Sequence, residues 1–126
     1  MTKHVILIDD SDSVLQTLKQ TFAQLIVPFK CTWAKSGTQA IEQLKYLVPD
    51  MVLLNVNLAG QDVFTTIAAI RQIKHAALVP IIVYWFDLNK ESYIKQLLPG
   101  ATGYLKKGTA EEFIQTFSQY LPGLTQ

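Results

Sequence analysis

Short stretches with the character of buried strands alternate along the chain with longer stretches in which apolar residues recur at helical spacing. The strand-like stretches are too short for helices and are rich in β-branched or aromatic residues. There are five of them: residues 5–8, 29–34, 51–54, 81–84 and 103–105. A helical stretch follows each one, so the pattern predicts a parallel sheet with helices on both faces, in a doubly wound α/β fold.

Capping and stop signals mark the ends of the predicted helices. Ser11 is a candidate N-cap for the first helix, and two capping boxes pair Ser36 with Gln39 and Thr109 with Glu112. Asp62 is a further candidate cap, and either Asp87 or Asn89 is another. Pro28 and Pro49 are expected to end the first two helices. The third helix is expected to carry an apolar stripe of Phe64, Ile67, Ile70 and Ile73.

Polar and aromatic residues follow the predicted strands at the points where the strands end. Asp9 and Asp10 come after the first strand, Asn55 after the third, Trp85 after the fourth and Lys107 after the fifth. Because the carboxyl ends of parallel strands share one edge of a sheet, where ligands bind in folds of this class, we expect these residues to gather there. Two adjacent carboxylates are costly to place together without a positive group between them. The pair therefore predicts a bound cation or a basic partner at this edge.

Composition narrows the class of protein. A chain of 126 residues is expected to form one domain, residues 1–126, with no output domain. Its net charge of +1 offers no basic field for nucleic acid or anionic lipid, and no apolar run approaches the roughly 18 residues of a membrane span. The strand-like run begins almost at once, so we expect no signal peptide, and the single Cys31 suits a reducing compartment; we therefore expect a cytoplasmic protein.

Charged residues make up only 17% of the chain, compared with about 25% in an average soluble domain. The surface is therefore expected to carry more neutral and apolar groups than usual, which favours a face for protein contacts.

Taken in order, four segments resemble the receiver domain of two-component response regulators. They are ILIDD after the first strand, PDMVLLNVNLAG around the third, VPIIV in the fourth and GATGYLKKG around the fifth. The resemblance extends from Val5 to about Tyr120. It implies a (βα)5 flavodoxin-like fold, with a five-stranded parallel sheet in the order 2-1-3-4-5.

The resemblance also implies roles for particular residues. In that family an acidic pair holds a divalent cation, usually magnesium, and an Asp that ends the third strand accepts a phosphoryl group. A Lys near the fifth strand neutralises charge, and an aromatic residue three positions earlier can change rotamer. In this chain Asp9 and Asp10 match the acidic pair, Lys107 matches the Lys and Tyr104 matches the aromatic residue.

Three positions depart from the family pattern. Asn55 occupies the phosphoacceptor position, Trp85 stands where a Thr or Ser is expected, and Phe86 replaces a small residue. An amide carries no negative charge and cannot form the acyl phosphate that phosphotransfer requires. Hard cations prefer charged oxygen ligands, so we expect no cofactor, or a vestigial magnesium site at Asp9, Asp10 and Asn55 that binds only weakly.

The two aromatic residues and the acidic pair each leave alternatives open. Trp85 and Phe86 are expected to fill the phosphoryl cavity or stand over it; the alternative is that both turn outward and serve as a binding anchor. Without a tightly held cation, Lys107 is the expected neutraliser of Asp9 and Asp10. The alternatives are a loosely bound cation, or solvated carboxylates that cap the following helix.

These features predict a signalling module that does not depend on phosphorylation, is not an enzyme and acts by binding other proteins. By analogy with the family, its contact face is the fourth helix, the fifth strand and the fifth helix, with Tyr93, Tyr104 and Lys106 on that face. Trp85 and Phe86 are further candidate contact residues. The expected partner is a histidine kinase, an output protein, another regulator or a second copy of the chain, and neither nucleic acid nor a membrane is expected.

Two other functions compete with this prediction. The stretch 10–14, DSDSV, fits the Asp-x-Asp-x-Thr/Val pattern of haloacid-dehalogenase-like phosphatases, in which Asp10 would be the nucleophile and Asp12 the general acid. A flavodoxin-like cofactor binder shares the predicted topology. Such a binder needs a phosphate-binding loop after the first strand, whereas the loop here is acidic and would repel phosphate.

Overall fold

Five strands form a single parallel sheet, in a computed structural model that describes residues 2–56, 63–85, 100–106 and 110–121. The strands are β1 (Lys3–Ile8), β2 (Phe29–Ala34), β3 (Met51–Asn55), β4 (Ile81–Trp85) and β5 (Gly103–Lys106). Their order across the sheet is β2-β1-β3-β4-β5, and every neighbouring pair is parallel. The fold class and the strand order predicted from the sequence are therefore confirmed.

Four α-helices are described: α1 (Asp12–Phe22), α2 (Gly37–Leu44), α3 (Val63–Gln72) and α4 (Ala110–Tyr120). A short 3-10 helix at Lys74–Ala76 follows α3. The first two α-helices begin at the predicted caps, since the Ser11 hydroxyl accepts from the Ser13 N–H and the Ser36 hydroxyl accepts from the Gln39 N–H at 3.1 Å. The predicted fourth helix with Asp87, Asn89 and Tyr93, and the proposed caps Asp62 and Thr109, lie outside the described residues.

The core has two halves, one on each face of the sheet, because successive strand residues point to opposite faces. On one face, Ile6 and Ile8 pack with the buried residues of α2 and α3. On the other face, Val5 and Leu7 pack with those of α1 and α4. Both faces of the central strands are thus covered, which is why these strands are continuous apolar runs in the sequence.

The predicted stripe of α3 needs a correction. Ile67 and Ile70 are buried as predicted, but Phe64 is 42% exposed and Ile73 lies beyond the end of the helix. Val63 is buried in place of Phe64. One residue step rotates a side chain by about 100° around a helix axis, so the two neighbours cannot both face the core.

The prolines predicted to end helices also lie further along the chain than the helix ends. The helix α1 ends at Phe22 and α2 at Leu44, each several residues before Pro28 or Pro49. Backbone bonds such as that from Leu25 N to Phe22 O close the turns in between. The prolines therefore delimit the loops rather than the helices.

Arg71, in the last turn of α3, joins that helix to the amino ends of β4 and β5. Its guanidinium donates to the carbonyl of Val79 at 2.6 Å and to the carbonyl of Gly100 at 2.9 and 3.1 Å. Longer bonds reach the carbonyls of Ala76 and Ala77 and the hydroxyl of Thr102. A planar cation with five N–H groups is suited to collecting such scattered acceptors, whereas a lysine ammonium is not.

His4, in β1, is hydrogen-bonded to β2 and to the residue before β3. Its Nε2 lies 2.6 Å from the Thr32 hydroxyl, and its backbone N–H donates to Asp50 Oδ2 at 2.8 Å. Burial first, and then the positive charge of Lys30, lower the pKa of His4 below its ordinary 6.5, while Asp50 opposes this effect.

We therefore expect the free energy of unfolding to fall as the pH drops below 6.5 toward the lowered pKa of His4. The unfolded chain takes up a proton in that range that the folded chain resists, so acid favours unfolding. Urea unfolding between about pH 7.5 and pH 5.5 measures this slope. The variant His4→Gln should have a smaller slope, and an unchanged slope would contradict the assignment to His4.

Cys31 and the lengths of the helices bear on the surroundings expected for the chain. Cys31 is half-buried in β2, and burial raises the pKa of its thiol to about 11, so the thiol stays protonated. Across the described ranges 2–56, 63–85, 100–106 and 110–121, no helix is long and apolar enough to cross a membrane.

Candidate functional site

The carboxyl edge of the sheet brings together the strand ends that the sequence singled out. Asp9 directly follows β1, while Asn55 ends β3, Trp85 ends β4 and Lys106 ends β5. These four strands are consecutive neighbours in the sheet, so their ends form one continuous edge. Phe86 and Lys107 lie outside the described residues, and so the predicted pairing of Lys107 with the acidic residues stays a prediction.

The two acidic residues have different environments. Asp9 is only 1% exposed, whereas Asp10 is exposed. The Oδ1 atom of Asp9 accepts a hydrogen bond from the Ser11 N–H at 2.9 Å, and its backbone N–H donates to the carbonyl of Ala34 at 3.0 Å. Asp9 thus fixes the turn that leads from β1 into α1, a local bond typical of Asp in tight turns.

The second carboxylate oxygen of Asp9 is bonded to a residue that the sequence analysis did not single out. Tyr84, in β4, is completely buried, and its hydroxyl donates to Asp9 Oδ2. Burial, followed by this hydrogen bond, raises the pKa of Tyr84 far above its ordinary range. The phenol therefore remains protonated and acts as a donor to Asp9 at any physiological pH.

A second aromatic residue, Trp33, is bonded to the main chain of Asp9. The indole N–H of Trp33, in β2, donates to the carbonyl of Asp9 at 2.7 Å. The Lys35 ammonium lies 4.9 Å from the centre of the Trp33 ring, and Gln43 of α2 donates to the Trp33 carbonyl at 3.2 Å. Asp9 is therefore bonded from β2 on one side and from β4 on the other.

Asn55 ends β3, the strand that lies between β1 and β4 and so between the strands of Asp9 and Tyr84. It is 5% exposed and is the register partner of Tyr84, and the next residue, Val56, donates its N–H to the carbonyl of Tyr84 at 3.0 Å. A buried amide at this point adds no negative charge to the carboxylate of Asp9. Asp9, Asp10 and Asn55 therefore contribute a buried carboxylate, an exposed carboxylate and a buried amide to this edge.

These residues are a poor fit for a tightly held divalent cation. Magnesium needs an octahedron of oxygens at about 2.1 Å and is usually bound through carboxylates together with several waters. Each carboxylate oxygen of Asp9 already accepts a hydrogen bond, and Asn55 is neutral. In the part of the chain that the structure describes, no three His, Cys, Asp or Glu residues are grouped in a way that could hold a metal.

Two of the remaining predicted contact residues, Tyr104 and Lys106, lie in β5. Tyr104 is half-buried and packs against the half of the core under α2 and α3. Lys106 is the last residue of β5, and its backbone pairs with that of Trp85. Tyr93 lies outside the described residues. The predicted switching role of Tyr104 stays a prediction, and its position is equally that of a packing residue.

Tyr84 could have been found from the sequence by one signal. It is the only residue with a hydroxyl in the run Ile81–Trp85, which otherwise is entirely apolar. A tyrosine in a strand that is buried on both faces must find a partner for its hydroxyl, because an unpaired buried hydroxyl is costly. The sequence could not have shown that the partner is Asp9, which follows β1, two strands away.

Comparison with known sequences finds a family model that matches most of the chain. A family model described as the response regulator receiver domain matches residues 5–117. The chain is 29% identical over 108 residues to the nitrate/nitrite response regulator protein NarL of Escherichia coli K12, which covers 86% of this chain and 49% of that protein. It is 29% identical over 106 residues to the transcriptional regulatory protein ZraR of the same strain, covering 82% and 22%. The chain thus spans half or less of these relatives.

Solved structures show the same fold. The chemotaxis response regulator CheY4 of Vibrio cholerae aligns with a TM-score of 0.83 and 23% identity, over 96% of this chain and 100% of that one. The receiver domain of the sensor histidine kinase PA1611 of Pseudomonas aeruginosa PAO1, with a magnesium ion in its active site cleft, aligns with a TM-score of 0.80 and 20% identity, over 95% and 98%. At these identities the likeness concerns the fold alone.

Proposed function

The chain belongs to the response regulator receiver domain family and is therefore a receiver domain of two-component signalling, and from this premise we propose that it signals without accepting a phosphoryl group. In this proposal it is a degenerate receiver with no catalytic activity of its own. It acts by binding another protein, and its buried acidic site has a structural role.

One observation carries the proposal: the buried residue that ends β3 is Asn55. Phosphotransfer to a receiver needs an anionic carboxylate that attacks phosphorus and becomes an acyl phosphate. The amide of Asn55 has no charge, and its lone pairs are delocalised, so it cannot take this role. Asp50, the acid nearest to it in the described sequence, lies at the opposite edge of the sheet, where its side chain accepts from His4 N–H.

The environment of Asp9 supports the same conclusion. A cation that assists phosphoryl transfer must have open positions for the phosphoryl oxygens, as well as charged ligands from the protein. Here the one buried carboxylate is bonded to the main chain of Ser11 and to the hydroxyl of Tyr84. Both bonds stabilise the turn between β1 and α1 rather than leaving the carboxylate available for catalysis.

Receiver domains of this family bind kinases or other proteins. We place the contact of this chain with its partner on the face that includes β5 and α4, which is the fifth helix of the sequence prediction. Tyr104 and Lys106 are the proposed contact residues in β5. The strand β5 is an edge of the sheet, since β4 is its one partner in the described sheet. A kinase, an output protein, another regulator or a second copy of the chain would fit this face, and Trp85, Phe86 and Tyr93 are the further proposed contact residues.

Treatment with acetyl phosphate or beryllofluoride in the presence of magnesium tests the absence of phosphorylation. We expect no phosphoryl mass increment in the intact chain and little change in the amide NMR resonances around Asn55, because no nucleophile is present there. A phosphoryl group located at position 55 by fragmentation would contradict the proposal. A phosphoryl group on another residue would remove phosphorylation independence while leaving the assignment of Asn55 intact.

The variant Asn55→Asp separates the loss of the nucleophile from other changes at the site. We expect this variant to be phosphorylated poorly. Restoring one carboxylate leaves Trp85 where the family has Thr or Ser, and Phe86 where it has a small residue. Intact mass after a timed incubation gives the labelled fraction. Efficient labelling would show that these aromatic residues do not obstruct the site and that Asn55 alone distinguishes the chain from a phosphorylated receiver.

A further inference from the structure

The position of the Tyr84 hydroxyl carries an inference about the cation site. Asp9 follows β1 and Tyr84 lies in β4, and the strand between them is β3. Neighbouring strands are about 4.8 Å apart, so the two backbones are separated by roughly 10 Å. The side chain of Tyr84 must extend across the end of β3 to reach Asp9 Oδ2, which places its hydroxyl beside the carboxylate of Asp9.

The hydroxyl is held in this position from both ends. The ring of Tyr84 packs edge-on against Phe113 of α4, with the ring centres 6.4 Å apart and an interplanar angle of 80°. Its backbone is fixed by the β3 register, in which it pairs with Asn55. Both Tyr84 and Asp9 are essentially inaccessible to water. Because the Tyr84 hydroxyl is buried and both its ring and its backbone are held in place, breaking its hydrogen bond to Asp9 costs a large amount of free energy.

We propose that the Tyr84 hydroxyl replaces the divalent cation as the partner of Asp9, so that the acidic site is closed by an internal donor. The proposal rests on the proposed function for the identity of the site, and it adds a second barrier to metal binding. Loss of the carboxylate at position 55 weakens the site. Tyr84 in addition donates to Oδ2 of Asp9, so a cation that binds this oxygen must displace the hydroxyl.

Manganese alone, followed by the EPR signal of the free ion, tests this competition. The comparison uses three chains: Asn55→Asp, Asn55→Asp/Tyr84→Phe and the control Asn55→Asp/Tyr46→Phe. Tyr46 is 84% exposed and follows α2, so its hydroxyl has no part in the site. Breaking a hydrogen bond to a charged group changes an equilibrium constant by about tenfold or more.

We therefore expect Asn55→Asp/Tyr84→Phe to bind Mn²⁺ at least about tenfold more tightly than Asn55→Asp. The control should bind no better than Asn55→Asp itself. Equal affinities of Asn55→Asp and Asn55→Asp/Tyr84→Phe would overturn the proposal, because the hydroxyl would then present no barrier. Thermal unfolding without metal establishes that each variant is folded.

The unmodified chain provides a second test that does not depend on any variant. Because Tyr84 is completely buried, its hydroxyl proton is protected from exchange and should give its own NMR resonance. We expect this resonance to stay in place when Mg²⁺ is added to millimolar concentrations. A shift that saturates with Mg²⁺, or loss of the resonance, would show that a cation displaces the hydroxyl.

The two proposals fail separately. If Mn²⁺ affinity does not depend on Tyr84 while the chain still gains no phosphoryl group, the inference is wrong and the proposed function rests on Asn55 alone. If the unmodified chain is phosphorylated, the proposed function is wrong, whatever the cation affinities of the variants.

Discussion

Replacing Tyr84 with alanine is expected to lower the free energy of unfolding by about 3–5 kcal/mol, the range typical of large aromatic residues removed from a core. The substitution removes a completely buried ring that packs against Phe113. It also leaves the buried carboxylate of Asp9 without the donor at Oδ2. Urea unfolding of the purified chain measures the loss, provided that the transition remains cooperative.

The variant Tyr84→Phe separates the contribution of the hydroxyl from that of the ring. We expect it to cost about 1–3 kcal/mol, because the ring is kept while a buried charged acceptor loses its partner. Tyr120→Phe is a matched control, since among the described residues its hydroxyl makes one long bond, of 3.5 Å, to the Thr102 carbonyl. That control should change stability by less than about 0.5 kcal/mol.

A double-mutant cycle assigns the effect to the pair. Tyr84→Phe should cost less in an Asp9→Ala background than in the native chain, with a coupling of about 1 kcal/mol or more. Additive effects of the two substitutions would mean that the hydroxyl is stabilised by other neighbours, and that the bond to Asp9 contributes little. Such a result would also weaken the inference that Tyr84 takes the place of a cation.

The fold could be predicted from the sequence because strands that are buried on both faces have a recognisable pattern of consecutive apolar residues. Runs such as Val5–Ile8 and Met51–Leu54 are continuous apolar segments, and only a parallel sheet covered on both sides requires them. The alternation with helical segments then determined the topology. The same reasoning placed Asp9 and Asn55 at one edge, because in a parallel sheet every strand ends on the same side.

The sequence was not sufficient for the bonds made at that edge. A tyrosine in β4 can point its hydroxyl along its own strand, into solvent or across a neighbouring strand. The choice depends on the packing of its ring against α4, which is remote in sequence. The burial of helix residues likewise depends on packing against other elements. The sequence analysis assigned Phe64 to the core, although it is the neighbouring Val63 that faces the core. Periodicity identifies a helix well, but a one-residue shift in phase changes which residue is buried.

The link from Asp9 through Tyr84 to Phe113 gives the acidic edge of the sheet a physical connection to α4. In the proposed function, a protein that binds the face formed by β5 and α4 would act on this same packed group. Its binding and the Tyr84–Asp9 bond would then affect each other reciprocally, since coupling between two sites is the same in both directions. Partner affinity measured with Tyr84→Phe would show whether this coupling exists.

Removing Arg71 is the second substitution with a large expected effect. Arg71→Met should lower the free energy of unfolding by about 2–4 kcal/mol, because hydrogen bonds to a charged donor contribute more than neutral ones and several carbonyls lose their donor together. The strongest of these bonds, to Val79 and Gly100, hold the segments that enter β4 and precede β5. We expect faster amide exchange at the start of both strands as well as lower stability.

Arg71→Lys distinguishes geometry from charge. A lysine ammonium keeps the charge near the end of α3, but it has one nitrogen and cannot contact Val79 and Gly100 in the way the guanidinium does. Arg71→Lys should therefore lose most of the stability that Arg71→Met loses, while Lys74→Met, at an exposed position one turn further on, should change little. If Arg71→Lys were as stable as the native chain, the positive charge would be the important property of Arg71. The bridge from α3 to the amino ends of β4 and β5 would then contribute little to the fold.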